Sequence, residues 1–485
     1  MLFNSYIFIF AFLPITLIGY FALNHFNLNT IAKVWLVLCS LFFYAYYNPA
    51  YLWVIVASMV VNYLLCFAFG KLDKSKTALR RTLLIIGLCL NIGALFFYKY
   101  LDFVLETVNN FFNTDFIYLN LVLPLGISFF TFQQIAYLVD SYKGNAPLYN
   151  VLDYSLFVTF FPRLVQGPIV LHEEIIPQFQ DESNRKFNSD NFAKGLYAFS
   201  LGLAKKVLVA DNFGKITSFG YGHLSTLSSF EAILTIFAYT LQLYFDFSGY
   251  CDMASGIAYM FNIELPINFN SPYKARNISD FWKRWHMTLT RFLTKYIYIP
   301  LGGSRCSTFR TCLNVLIVFL ISGIWHGAGF TFIVWGLMHG VAMVLYRLTR
   351  KWFDKVPHAV TWALTFVFVN LTWVFFRALT ISDAGLLISR VFSGGFTLNY
   401  EITETLLNII PISVVTNVFS FSWTLNVLMI GIVVGFIAIC LFSKNVLEKA
   451  KTFQPKVSNL ITTFVLLLWS ILSLSGVSTF LYVNF

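Results

Sequence analysis

The sequence predicts an all-α polytopic membrane protein with about a dozen transmembrane or re-entrant helices, each near the roughly 20 residues that a bilayer demands. Three observations carry this. Of the 485 residues, 58% are hydrophobic, 19% aromatic and only 11% charged. The mean hydropathy is +0.71. Apolar runs of spanning length recur along the chain, and a soluble protein has no interior able to hide them. The formal net charge of +11 would suggest nucleic acid or another acidic partner in a soluble chain. Here Lys and Arg collect in short loops between apolar runs, which is the mark of membrane topology, so no nucleic-acid partner is expected and the lipid bilayer is the main one.

The opening run, residues 5–23, lacks the basic leader and small-residue cleavage site of a signal peptide, and is expected to remain as the first span. Further spans are expected over 31–48, 51–70, 82–100, 117–140, 152–170, 192–210 and 228–248, then 312–325, 329–346, 359–377, 425–443 and 458–478. Lys71, Lys74, Lys76, Arg80 and Arg81 crowd one loop, Arg347, Arg350, Lys351 and Lys355 a second, and Lys444, Lys449, Lys451 and Lys456 a third. The positive-inside rule makes these loops cytoplasmic. The N-terminus and the terminal FLYVNF then lie outside, and 378–424 forms an external loop.

The middle of the chain is less regular. Pro162, Arg163, Gln166, Gly167 and Pro168 interrupt the apolar run at 152–170, where a backbone break is tolerated only if protein or a wet cavity surrounds it. A broken or re-entrant helix is expected there. Residues 262–311 are too polar to span. Within them Phe281, Trp285, Thr288 and Phe292 share one helical face, which predicts an amphipathic helix lying in the membrane interface, with Asn277 as its N-cap and Asp280 in its first turn. No repeat of fixed period is present, which argues against inverted-repeat transporters.

The chain has no G-x-S-x-G elbow, H-E-x-x-H helix, Walker loop or G-x-G-x-x-G, and no histidine is followed by Asp five residues later. Its seven cysteines include no C-x-x-C pair, so neither a metal site nor a bound cofactor is expected. What remains is a small set of polar residues within apolar runs, which are costly to bury and therefore functional candidates. His326, in ISGIWHGAGFTF, is the first, flanked by Trp325 and by Gly323, Gly327 and Gly329. In a break of this kind an imidazole can take a proton from an acceptor hydroxyl. It can equally be satisfied by a neighbouring carbonyl. His339 reads as packing, and His286, on the amphipathic helix, as a solvated interfacial histidine. Asp246, Ser248 and Asp252 near the end of a span must be paired, solvated or protonated, and line a polar entrance if solvated.

The ordered set PLGISFFTFQQIAYLVDSYKG, FPRLVQGPI, YFDFSGYCDMASG, DFWKRWH, YIYIPLGG and SGIWHGAGFTF resembles the membrane-bound O-acyltransferase family, in particular its bacterial alginate O-acetyltransferase-like branch. The resemblance runs essentially end to end, as one membrane domain over 1–485 with its motif core at about 120–346. It implies a central funnel or tunnel, a catalytic role for His326 and a second motif histidine at His286, with Trp325, Asp246, Ser248 and Asp252 as substrate-binding candidates. It also implies acetyl-CoA as a cytoplasmic donor, an extracytoplasmic polysaccharide acceptor, a periplasmic or surface acetyltransferase partner, and residence in the bacterial cytoplasmic (inner) membrane. Thr294 and Lys295 stand where relatives carry Arg-Asp, so no role is carried over for that charge pair. Teichoic-acid or lipid acyl transfer by the same residues, and from a different class a polytopic transporter, are the alternatives.

Overall fold

The structure is a computed structural model that describes residues 1–395, 422–474 and 480–481. The external loop expected over 378–424 therefore lies mostly outside the described residues, as does all of the FLYVNF tail beyond Leu481; the described start of that loop carries a helix, Ile381–Ser393. Every regular element among the described residues is helical. Among the described residues six helices are long and apolar enough to cross a membrane: Phe8–His25, Tyr51–Lys71, Thr77–Lys99, Thr308–His326, Phe330–Phe353 and His358–Arg377. Asn29–Ala45, Met429–Phe442 and Val457–Leu472 are shorter apolar helices.

The chain divides into two compact units, one formed by Met1–Leu203, Tyr250–Ile267 and Ala450–Phe485, the other by Ala204–Gly249 and Asn268–Lys449. In the first, two neighbouring spans are tied by a reciprocal carboxamide pair. Asn62 Nδ2 donates to Asn91 Oδ1 at 3.1 Å, and Asn91 Nδ2 donates to Asn62 Oδ1 at 2.7 Å. At the basic end of the same spans Arg80 donates to the carbonyls of Phe69, Leu72 and Tyr142, satisfying groups that a helix end leaves open.

Two expectations in this unit shift. The span read over 117–140 begins only at Ile127, because Pro124 has no N–H to donate and Gly126 adopts a left-handed φ of +70°. The break expected within 152–170 is present: Val151–Thr159 ends at Phe160, whose ψ of 107° leaves the helix, and Phe161–Leu164 restarts it. Arg163 in that restart is buried, its guanidinium 5.1 Å from the Phe157 ring centroid.

In the second unit the Thr308–His326 and Phe330–Phe353 helices form a tight hairpin. A Cβ on Gly336 would stand 2.5 Å from the Phe319 carbonyl oxygen and 3.1 Å from Gly323 Cα. Only glycine lets the two backbones approach this closely. The break after His326 has a different origin from the one expected. Gly327 and Gly329 are extended, with φ of −163° and −176°, a conformation open to any residue. Gly327 is instead required because a Cβ there would overlap the Phe332 ring.

The single amphipathic helix expected over 281–295 is not formed. Two short helices, Ile278–Trp282 and Met287–Leu293, flank a turn in which His286 takes the left-handed conformation at φ +46°, ψ +51°. Asn277 does cap the first, its side chain accepting from Asp280 N. Phe281, Trp285, Thr288 and Phe292 are all buried, so the apolar face packs into protein and not onto lipid. The four residues expected on one face are buried together, but neither the continuous helix nor the lipid medium read for them is found.

Replacing Asn62 alone by Leu takes the donor from the buried Asn91 Oδ1, while Asn91 Nδ2 keeps the Gly87 carbonyl, and is expected to cost about 1 kcal/mol. Replacing both should recover most of that loss. Thermal unfolding of the purified protein in one detergent across the double-mutant cycle checks this, and a double variant weaker than both singles would contradict it.

Candidate active site

The site is assembled in the second unit around two histidines. His326 ends the Thr308–His326 helix and is 2% exposed, and His286 is 0% exposed, which corrects its reading as a solvated interfacial residue. Their ring centroids are 6.3 Å apart. Trp325 packs beside both, 6.1 Å from His286 and 4.9 Å from His326. Trp335 at 5.0 Å and Phe376 at 5.2 Å complete an aromatic cage about His326, while Phe247 stands 4.9 Å edge-on to His286. Such a setting excludes water and strengthens every electrostatic interaction inside it.

The state of His286 follows from its hydrogen bonds. Its Nδ1 lies 3.1 Å from Asn268 Oδ1. That oxygen also accepts from Thr288 Oγ1 at 2.9 Å and Thr288 N at 3.3 Å. A carboxamide oxygen only accepts, so Nδ1 must carry the hydrogen. Nε2 then carries the lone pair. Burial pushes the imidazole down to about 3 from the usual 6.5, because a charged ring would lose its hydration in the interior. Two backbone bonds hold the turn in place: Met287 N donates to Asn268 O and Asn270 N donates to Arg284 O, each at 2.9 Å. The left-handed backbone of a non-glycine residue costs of order 1 kcal/mol and persists where its surroundings over-determine it.

His339, expected to serve packing, does so. Trp282 Nε1 donates to its Nδ1 at 3.2 Å, which makes Nδ1 the acceptor. Nε2–H then donates to Thr372 Oγ1 at 3.0 Å, and that hydroxyl donates onward to Val369 O. Both ring nitrogens are committed to the scaffold.

Of the remaining candidates, Asp246 is paired. Lys206 Nζ reaches its Oδ1 at 2.7 Å and Asp211 Oδ1 at 2.8 Å. Lys205 Nζ donates to Ser248 Oγ at 3.3 Å. Both lysines open a π-helical turn, Lys205–Ala210, whose larger number of residues per turn brings consecutive side chains closer in direction, onto neighbouring targets. Asp246 and Ser248 flank Phe247, the residue packed on His286, whereas Asp252 is buried in the part of the Ser229–Met260 helix that belongs to the other unit. The structure thus brings together His326, His286 and Trp325, with Asp246 and Ser248 on an adjoining helix. Sequence reasoning missed Asn268, Lys206, Trp335 and Phe376. Asn268 lies 18 residues before its histidine in a segment without periodicity, so no local signal marked it.

A depressed His286 gives acid sensitivity of definite sign. Below about pH 6.5 the unfolded chain takes up a proton that the buried ring refuses until about 3, so stability present above 6.5 is lost as pH falls through that window. The slope from this one group is about 1.4 kcal/mol per pH unit at most. The drop in thermal midpoint between pH 6.5 and 4.5 is expected to be smaller in His286→Gln than in the parent, and an identical drop would contradict the buried neutral ring.

Comparison with known proteins agrees with this geometry. The model of the MBOAT, membrane-bound O-acyltransferase family matches residues 66–381, which include both histidines. The chain is 49% identical over 414 residues to the peptidoglycan O-acetyltransferase of Helicobacter pylori, covering 79% of this chain and 78% of that protein. It is 36% identical over 401 residues to the probable alginate O-acetylase AlgI of Pseudomonas aeruginosa, covering 81% and 75%. A more distant relative, the teichoic acid D-alanyltransferase of Bacillus subtilis, is 28% identical over 247 residues, 49% of this chain and 62% of that one. Apolar helices of spanning length, a family match over residues 66–381 and relatives matched over about four-fifths of the chain lead to one conclusion: the chain belongs to the membrane-bound O-acyltransferase family and is an O-acyltransferase.

Proposed function

We propose that this protein moves acetyl from cytoplasmic acetyl-CoA toward hydroxyls of an extracytoplasmic polysaccharide, of peptidoglycan or alginate type, in the bacterial cytoplasmic (inner) membrane. The observation that carries the reading is the buried His326–His286 pair, 6.3 Å apart in an aromatic cage. The relatives named for peptidoglycan and alginate acetylation support the choice of acyl group and acceptor. In this reading one membrane domain of about a dozen transmembrane or re-entrant helices surrounds a central funnel or tunnel, long enough to span the bilayer. Donor and acceptor reach the pair from opposite faces, and a periplasmic or surface acetyltransferase partner completes delivery to the polymer. Asp252 joins Asp246, Ser248 and Trp325 as residues that bind substrate.

The part left to His286 follows from its weak basicity. A general base works best with a pKa near the operating pH. An imidazole held near 3 is a poor one, and His286 serves as an acceptor that orients a hydroxyl. His326 takes the proton. The acceptor oxygen attacks the thioester carbonyl carbon, the C–S bond breaks, and the departing thiolate recovers the proton from the His326 imidazolium. A relay differs only in the first nucleophile: His326 itself takes the acetyl and passes it to the hydroxyl. Label found on the protein when donor is supplied without acceptor identifies the relay.

Label transfer from acetyl-labelled CoA to membrane glycan, with the partner transferase present, is expected to fall at least about 100-fold in His326→Ala, the scale of lost acid–base catalysis. Size-exclusion profiles matched between parent and variant establish equal folding. Transfer that persists in the folded variant would overturn the catalytic assignment of His326.

A further inference from the structure

Asn268 acts on His286 along two routes. Its backbone carbonyl receives Met287 N and helps hold the left-handed turn, and its side-chain oxygen faces Nδ1 of the ring. The side chain is 1% exposed and its oxygen receives Thr288 through both hydroxyl and amide. With two Thr288 donors fixing which end of the carboxamide points inward, Asn268 offers the imidazole an acceptor and no donor. The opposite tautomer, hydrogen on Nε2, would set a ring lone pair against an oxygen lone pair inside a buried site.

We propose that Asn268 is a positioning residue: it selects the Nδ1–H tautomer of His286, so that Nε2 presents a lone pair to the substrate hydroxyl. The inference rests on the reading of His286 as an orienting acceptor, but the tautomer is measurable without turnover. Asn268 needs no contact with substrate for this role. It works on the neighbouring ring, as the outer groups around metal-binding histidines select a ring nitrogen, and as a buried carboxylate does in a serine-protease triad.

The test is nitrogen NMR on the full-length protein carrying ¹⁵N-histidine, with His286→Gln identifying the His286 resonances. In the parent, Nδ1 is expected at a protonated shift and Nε2 at an unprotonated one. Asn268→Leu, close in volume and without an acceptor, should populate the other tautomer and lower kcat at least about tenfold, with KM within about twofold, below the threefold change of 0.6 kcal/mol. A folded Asn268→Leu that keeps the parent's nitrogen shifts overturns the proposal.

Should Asn268→Leu not fold, Asn268→Asp carries the test. The ring neighbours of His286 are His326, Trp325, Phe247 and Phe269, and a carboxylate against Nδ1–H adds a negative charge beside the imidazole. Nε2 is then expected to become protonated in a pH range where the parent's does not, with activity returning on the alkaline side. An unchanged Nε2 resonance in folded Asn268→Asp overturns the proposal. A parent that transfers no acyl group yet shows the expected shifts would count against the functional reading alone.

Discussion

A polar group withdrawn from water must find its partner inside the chain, and this requirement organises the second unit from the histidines outward. His286 meets it by giving its one N–H to Asn268, and His339 by accepting from Trp282 and donating to Thr372. Asp246 meets it with Lys206. The two histidine solutions look alike and differ in consequence. His339 spends both nitrogens on the scaffold, so it can do no chemistry. His286 gives Nδ1–H to Asn268, which makes Nε2 the nitrogen without a hydrogen. In the proposed function, the difference between a structural and a chemical histidine is a matter of which partner each ring nitrogen has been given.

The positions of the long helices were legible because hydrocarbon imposes a length and an apolar composition that the sequence must display. The Asn277 cap and the break at Phe160 were legible for a related reason: capping and proline chemistry act within a few residues. The amphipathic segment was misread because a period of 3.6 reports that one face is buried without saying whether lipid or protein covers it. Its interruption at His286 had no glycine to announce it, since the left-handed turn is imposed by Asn268 and Asn270 from across the loop.

The same limit governs the site. His326 and Trp325 sit in one short apolar motif and could be found by inspection. His286 became a candidate through the resemblance and not through its own surroundings, which read as interfacial. Asn268, Trp335 and Phe376 join the site only through folding, because their contacts run between segments far apart in the chain. The pairing of Asp246 was anticipated as one of three possibilities; that its partner would be Lys206, from an apolar stretch, was not.

The glycine contact between Gly323 and Gly336 has a bearing on how this protein tolerates change. Because the two helices meet backbone to backbone there, the placement of His326, one turn beyond Gly323, is gauged by main-chain geometry and owes nothing to the size of any side chain. In the proposed function, side chains around the cage can then change shape while His326 keeps its station, so a new acceptor preference is reachable through substitutions around the cage without first moving the proposed base.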